Sequence, residues 1–339
     1  MLLNQLSPVG VVAIAVVGLI TIILILLTTF ARKFDYKGKH VLITGGSSGI
    51  GLEVAREYLE RGANVTIMAR DTKKLESAKA VLVACDASLA FRVNCASGDI
   101  STSVAAVTKA ISSSVKQFGD VDVLVNCAGI SIAGEFDQLE EKEFERMLKV
   151  NVLGSVYPTR AVLEGMKRKG AGRIVFVASQ VAQVAIHGYS AYGASKWALR
   201  GLAEALQMEV RPFGILVSVS YPPDTDTPGY KEEMLTKPRI TRVLSEAGQV
   251  FSAKAVARDL VDYSTLGYFG ISTGLDGWLL KQLHPGMSPV NSAVEALQQV
   301  CFASLARAIA ICYVLSWDSL VKAEVNKQQQ QDKEGKKEN

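Results

Sequence analysis

A doubly wound parallel α/β fold is what this sequence predicts, and three observations predict it. Short apolar runs alternate with helical segments from His40 onward. A Gly-rich octapeptide, TGGSSGIG (44–51), separates the first run from the first helix. No linker divides residues 40–290. Strands alternating with helices build parallel sheets whose ligand sites lie outside the strand carboxyl ends.

Composition narrows the class. The chain has 339 residues, 49% of them hydrophobic, with a formal net charge of +4 and a mean hydropathy of +0.21. Its 37 basic and 33 acidic residues are too balanced for a nucleic-acid binder built on a basic face. High apolar content and only nine prolines exclude disorder for most of the chain. Five cysteines without CxxC spacing and three scattered histidines indicate neither a disulfide framework nor a metal site.

The apolar excess begins at the front. Side chains carry no charge from Met1 through Ala31, and Pro8 to Phe30 is a run of 23 mostly apolar residues. As a helix this run reaches roughly 35 Å, enough to cross a hydrocarbon core. It lacks the basic n-region of a cleaved signal peptide. Residues 1–37 are therefore expected to be a transmembrane anchor with a basic flank. Arg32, Lys33, Lys37 and Lys39 follow the run, so the positive-inside rule places the remainder in the cytosol.

Residues 38–290 carry the predicted domain. HVLIT (40–44) reads as a strand buried on both faces, 49–62 as a helix, NVTIMA (64–69) as a strand and 72–84 as a helix. The third strand is expected near LAFRVN (89–94), followed by a helix over 101–118. VDVLVN (121–126), RIVFVA (173–178) and ILVSVS (215–220) complete the strands, with long helices around 139–168 and 190–211. Residues 222–245 break the rhythm with four prolines and read as a loop or lid over the substrate. Beyond the domain, 291–320 reads as an apolar, membrane-associated helix interrupted by Arg307. Its uncharged run from Ala308 to Trp317 is too short to cross alone, so an interfacial helix, a re-entrant segment or a hairpin is expected. Residues 321–339 read as a polar cytosolic tail, disordered from Lys327.

The chemistry lies in two motifs. In TGGSSGIG, Gly45, Gly49 and Gly51 let the backbone turn sharply and approach a pyrophosphate resting on the helix N-terminus; Ser47, Ser48 and Ile50 complete that turn. An acid that would hold a ribose hydroxyl is missing about 20 residues further on. Ala69 and Arg70 stand there instead, and a guanidinium matches a 2′-phosphate, which favours NADPH. In YGASK (192–196), Tyr192 and Lys196 share one helix face. A phenol with a reference pKa of about 10 needs a neighbouring ammonium to serve as an acid near neutrality. Ser179 stands at the end of a predicted strand upstream.

TGGSSGIG, NCAG (126–129), KVN (149–151), Ser179 and YGASK, in this order and spacing, resemble the short-chain dehydrogenase/reductase family over residues 38–290. The resemblance implies a Rossmann-type doubly wound parallel sheet in a single catalytic domain. It also implies Tyr192 as general acid and Lys196 as holder of the nicotinamide ribose that lowers the Tyr192 pKa. Ser179 would hydrogen-bond the substrate oxygen, and Asn151 would secure the water of a proton relay. Asp99 would meet the adenine, and Asn126, Ala128 and Gly129 would border the cofactor. Pro222 and Thr225 would join it from the start of the substrate loop. Asn126-Cys127 departs from the family's commoner Asn-Asn.

Other stretches narrow the substrate. GSVYPTRAV (154–162), GRIVFVASQ (172–180), RGLAEALQMEV (200–210) and YPPDTDTPGY (221–230) resemble members of this family that reduce a long-chain sphingoid-base ketone at C3. Membrane-bound reductases of steroid, retinoid or acyl ketones use the same tetrad and stay open as an alternative. Asp224 and Asp226 are candidates to attract the substrate's ammonium, although turn acids also cap helices. The C-terminal KKEN resembles a dilysine retrieval signal read by a coat complex, implying the endoplasmic reticulum membrane; a solubilising Lys cluster is the plain alternative. Family members commonly pair subunits through helices corresponding to 139–168 and 190–211, so a homodimer is a further expectation.

Overall fold

The computed structural model describes residues 8–28, 34–245, 248–290 and 292–335. Arg32, Lys33, Lys336, Lys337 and the rest of KKEN lie outside the described residues. Helix α1 spans Pro8–Thr28. The elements after it are β1 (His40–Thr44), α2 (Gly49–Glu60), β2 (Asn64–Ala69), α3 (Thr72–Val83), β3 (Val93–Ser97) and α4 (Val104–Phe118). Then come β4 (Val123–Asn126), α5 (Glu141–Met147), α6 (Gly154–Lys169), β5 (Gly172–Val177), α7 (Ser190–Val210) and β6 (Ile215–Tyr221). The chain continues through β7 (Thr225–Asp226), α8 (Pro228–Thr236), α9 (Arg239–Ser245), β8 (Phe251–Ser252) and α10 (Ala253–Thr265). It ends with β9 (Gly270–Ser272), α11 (Gly274–Leu283) and α12 (Ala293–Gly335).

Seven strands form one sheet in the order β3-β2-β1-β4-β5-β6-β9, and every pairing in it is parallel. The order reverses between β1 and β4, which opens a crevice at their carboxyl ends. Alternation along each strand divides the core. Val41 and Ile43 face a cluster with Val54, Tyr58 and Leu260, while Leu42 faces one with Val107, Ile111, Val162 and Leu199. A sheet covered on both faces needs continuous apolar strands, and HVLIT is buried at all five positions. Local signals set the helix ends: Asp71 accepts from the Lys73 and Lys74 amides to start α3, and Gly119, with φ at 80°, ends α4.

Four expectations change. The third strand is Val93–Ser97 rather than 89–94, because Asp86 caps a 3-10 turn over Ala87–Arg92. Arg92 anchors that turn by donating to the carbonyls of Leu59 at 2.9 Å and Ala63 at 2.7 Å. The helix expected over 139–168 is broken by a π-helical stretch, Leu148–Leu153. Residues 222–245, read as a loop or lid, hold two helices, α8 and α9.

The fourth change concerns the C-terminus. Helix α12 runs unbroken through Gly335, so it contains no hairpin or re-entrant turn, and 327–335 is helical rather than disordered. Lys, Gln and Glu are good helix formers, and a single Arg307 does not interrupt backbone hydrogen bonding. By length and composition, one helix among the described residues is able to cross a membrane, within Ala293–Lys327. The domain nevertheless holds α12 at two distant points. Glu295 pairs with Lys281 of α11 at 2.7 Å, and Glu324 pairs with Arg239 of α9. The helix therefore lies along the domain, with Leu297, Val300, Leu305, Tyr313 and Leu315 exposed. It also contacts α1, whose Val12, Val17 and Leu19 are exposed.

Candidate active site

The glycine turn joins β1 to α2. Gly45 and Gly49 have φ of 70° and 54°, values that disfavour side chains. A Cβ added at Gly51 would lie 2.4 Å from the Gly45 carbonyl oxygen. Ser48 stands at the N-cap of α2 but spends no side-chain bond on it, so its hydroxyl is open to a ligand. Thr44 Oγ1 accepts from the amides of Cys127 and Ala128, both at 3.2 Å, tying this turn to the end of β4. Gly129 faces the reaction centre: a Cβ there would come 3.1 Å from Asn151 Oδ1 and 3.3 Å from Lys196 Nζ. Glycine at these positions lets segments approach more closely than a side chain would allow, and the tight turn leaves the N-terminus of α2 facing the place where the phosphates of a dinucleotide would rest.

Around this turn stand the remaining expected residues. Ile50 packs, half-buried, against the core beneath the turn. Ser47 is half-exposed beside it. Arg70 is exposed just past the end of β2. Burial works to raise the Asp99 carboxyl, yet hydrogen bonds from Ser101 and the charges of Arg70 and Lys149 hold it below the usual range. Asn126 is buried and donates to Thr159 Oγ1 at 3.1 Å, while its Oδ1 has no partner. Pro222 accepts from the Gln180 amide through its carbonyl at 3.1 Å. Thr225 is buried and donates to the Pro223 carbonyl at 2.7 Å. Burial pushes the Cys127 thiol up to about 12, so it stays protonated beside the site.

Asn151, Ser179, Tyr192 and Lys196 come from different elements and meet at the strand ends. Asn151 sits on the π-helical stretch, fully buried. Such stretches occur often at functional sites because the inserted residue redirects a side chain. Asn151 Oδ1 accepts from the Ile130 amide at 2.8 Å, and its Nδ2 donates to the Ile130 carbonyl and Ser195 Oγ, both at 2.9 Å. Both amide hydrogens are thereby used, so a water held at Asn151 must bond to an oxygen. Ser179 follows β5, its Oγ accepts from the Val181 amide at 3.3 Å, and its hydroxyl acts to lower the Tyr192 phenol. Lys196 donates to the Val177 carbonyl at 3.0 Å and stands 5.7 Å from the Tyr192 ring centroid.

The electrostatics differ from the expectation that Lys196 lowers the Tyr192 pKa. Burial raises the Tyr192 phenol well above its usual value, the charges of Glu233 and Asp224 add to this, and Ser179 alone opposes them. Burial also brings Lys196 down to about 8. In the chain by itself, then, the phenol is firmly protonated and the ammonium is poorly stabilised. An anion docked here would favour the charged lysine.

Sequence reasoning missed several neighbours. Ser195 lies inside YGASK, and Thr44 opens TGGSSGIG; both signals were present but gave no reason to single out those hydroxyls. Glu233 and Lys237 gave no signal, because only folding of the segment after β6 brings them to Tyr192; Tyr189, three residues before Tyr192, stands at the start of the same helix and packs against it. Asp226 pairs with Lys231 at the surface, at 3.1 Å, whereas Asp224 turns inward toward Lys237 at 3.6 Å.

A crevice at the sheet reversal, a glycine turn and a Tyr–Lys–Ser–Asn constellation define a dinucleotide-dependent enzyme site. Residues 39–237 match the family model described as short chain dehydrogenase, and the chain belongs to that family, whose fold implies a nicotinamide cofactor. The chain is 48% identical to the 3-ketodihydrosphingosine reductase of Bos taurus, over 84% of this chain and 86% of that protein. It is 47% identical to the 3-dehydrosphinganine reductase of Danio rerio, over 86% of this chain and 88% of that protein. Among solved structures, levodione reductase superposes with a TM-score of 0.64 at 24% identity, covering 70% of this chain and 96% of that one, a likeness of fold alone.

Proposed function

We propose that the chain reduces 3-ketodihydrosphingosine (3-dehydrosphinganine) to dihydrosphingosine (sphinganine) with NADPH, in sphingolipid synthesis at the cytosolic face of the endoplasmic reticulum membrane. The observation that carries this reading is near-full-length similarity, at 47–48% identity, to proteins bearing those names. NADPH rather than NADH is favoured by Arg70 at the end of β2 and by Asp71. That neighbouring carboxylate caps α3, its Oδ1 accepting from the Lys73 and Lys74 amides at 2.9 and 3.1 Å, which turns it toward its own helix.

The residues divide the work. Gly45, Ser47, Ser48, Gly49, Ile50 and Gly51 would hold the pyrophosphate, Asp99 the adenine, and Asn126, Ala128, Gly129, Pro222 and Thr225 the nicotinamide half. When bound, the cofactor supplies the hydride that adds to the ketone carbon. Tyr192 donates its proton to the carbonyl oxygen as negative charge develops there. Ser179 hydrogen-bonds the same oxygen. Lys196, charged, favours the phenolate that remains, and Asn151 with Ser195 holds α7 so that both groups face the crevice.

A long alkyl chain partitions into the bilayer by about 0.8 kcal/mol per CH₂, so the site must be kept at the membrane. The exposed apolar side chains of α1 and α12 would seat it there. The test is turnover by purified full-length protein with NADPH and a panel of ketosphinganine, steroid, retinal and acyl ketones. Ketosphinganine should be reduced, and Tyr192→Phe should lose at least about 100-fold in kcat. No turnover of ketosphinganine beside brisk turnover of another ketone would overturn the reading.

A further inference from the structure

Beside the reacting phenol lies a charge cluster that the mechanism above does not use. Glu233 of α8 and Lys237 just beyond it have side chains only 11% and 1% exposed. Glu233 Oε1 accepts from the Tyr189 hydroxyl and lies 3.4 Å from Lys237 Nζ. Asp224 Oδ2 stands 3.6 Å from the same ammonium. Tyr189 and Tyr192 have ring centroids 5.5 Å apart, so Glu233 bonds to the phenol that packs against Tyr192. The rings of Tyr189 and Tyr230 face Lys237 at 5.5 and 5.6 Å.

The charge count is uneven. With both carboxylates ionised, Asp224 and Glu233 share a single ammonium. Neighbouring cations have other partners: Arg242 donates to the carbonyls of Lys237 and Met234, Arg239 pairs with Glu324, and Lys231 pairs with Asp226. Within this cluster two carboxylates therefore share one ammonium, beside the Tyr189 ring that packs against Tyr192. A buried carboxylate that shares its cation is costly unless a further partner arrives.

We propose that Glu233 receives the ammonium of an α-amino ketone substrate and sets the preference for amino ketones over plain ketones. This rests on the sphingoid-base reading above. In such a substrate the amine sits on the carbon next to the carbonyl, so an oxygen held at Tyr192 leaves the ammonium two bonds from the carbonyl carbon. Lys237 and Tyr189 hold the carboxylate in place, and Asp224 holds Lys237. The same Glu233 charge is among the influences that keep the Tyr192 proton from leaving. An ammonium arriving there would offset that influence, linking recognition of the amine to release of the proton. Asp226, turned to the surface, has no part in it.

The test compares ketosphinganine with the same ketone lacking the amine, using full-length protein and NADPH. In Glu233→Gln, the ratio of kcat/KM for the amino ketone to that for the deaminated ketone should fall at least about 10-fold, and Glu233→Asp should restore part of it. A ratio unmoved within 2-fold overturns the role of Glu233. Inhibition of the wild-type protein by a long-chain alkylammonium and by the alcohol of equal length gives a readout that needs no variant. The ammonium should inhibit at least about 10-fold more tightly, and equal inhibition also overturns the role. A wild-type protein that reduces other ketones but not ketosphinganine overturns the substrate reading itself.

Discussion

Asn151 Nδ2 donates to Ser195 Oγ at 2.9 Å, joining the π-helical stretch to the helix that carries Tyr192 and Lys196. Ser195 in turn donates to the Tyr192 carbonyl at 2.7 Å. Both side chains are fully buried. Ser195→Ala leaves an amide hydrogen of Asn151 without a partner in a dry site, at a cost of about 1–3 kcal/mol. The expected outcome is a lower unfolding temperature together with an approximately 10-fold fall in kcat at a temperature where the variant stays folded. Loss of stability with kcat intact would show that the link only supports the fold.

Lys196 gives a pH dependence whose sign is set by its burial. In the folded chain it loses its proton near 8, whereas the unfolded chain holds it to about 10.4. Between those values the unfolded state binds more protons, so stability from this group rises with pH, by about 3 kcal/mol at most. Thermal unfolding of cofactor-free protein and of Lys196→Met, followed from pH 7 to 10.5, checks this. The wild type should gain on the variant as pH rises past about 8; a constant difference would contradict the depressed lysine.

Arg70 should decide between the two nicotinamide cofactors. Its guanidinium is exposed past β2, and the adjoining Asp71 caps α3. Arg70→Glu should lower kcat/KM for NADPH by about 10–100-fold and move the preference toward NADH. Steady-state rates with both cofactors measure it, and an unchanged ratio would remove Arg70 from the 2′-phosphate.

Gly51 should tolerate no side chain. The Cβ of Gly51→Ala would meet the Gly45 carbonyl oxygen at 2.4 Å and the Gly46 Cα at 3.1 Å. Backbone atoms cannot swing aside as a side chain does, so a cost of about 1–3 kcal/mol is expected, with weaker NADPH binding as the turn widens. Thermal unfolding and cofactor titration give the two readouts.

Much of the fold was legible because its signals are local. HVLIT and NVTIMA show the continuous apolar character of doubly covered strands, and the structure places β1 and β2 on those residues. LAFRVN was misread because Phe91 and Leu89 look like strand residues, while Asp86 starts a turn that exposes Phe91 at 68%. Strand β9 is three residues long, too short for any periodicity, and is recognisable only by its pairing with β6. The region after β6 looked like a loop because its prolines mark helix starts as readily as turns; Pro228 opens α8 behind the Thr227 cap.

By itself the sequence determined the alternation of strands and helices, the glycine turn and the identity of the residues that resemble a catalytic tetrad. Each of these depends on neighbours close along the chain. Only the tertiary structure decided that Asn151 reaches Ser195, that Thr44 secures the end of β4, and that Glu233 stands beside Tyr189 and Tyr192. It also decided that α12 lies against the domain, because the pairs Lys281–Glu295 and Arg239–Glu324 join elements that have no reason in sequence to meet. The physical reason is common to all of them. Hydrogen bonds and ion pairs depend on distance in space, and burial sets their strength. Both properties arise only once the sheet has gathered distant segments at one edge.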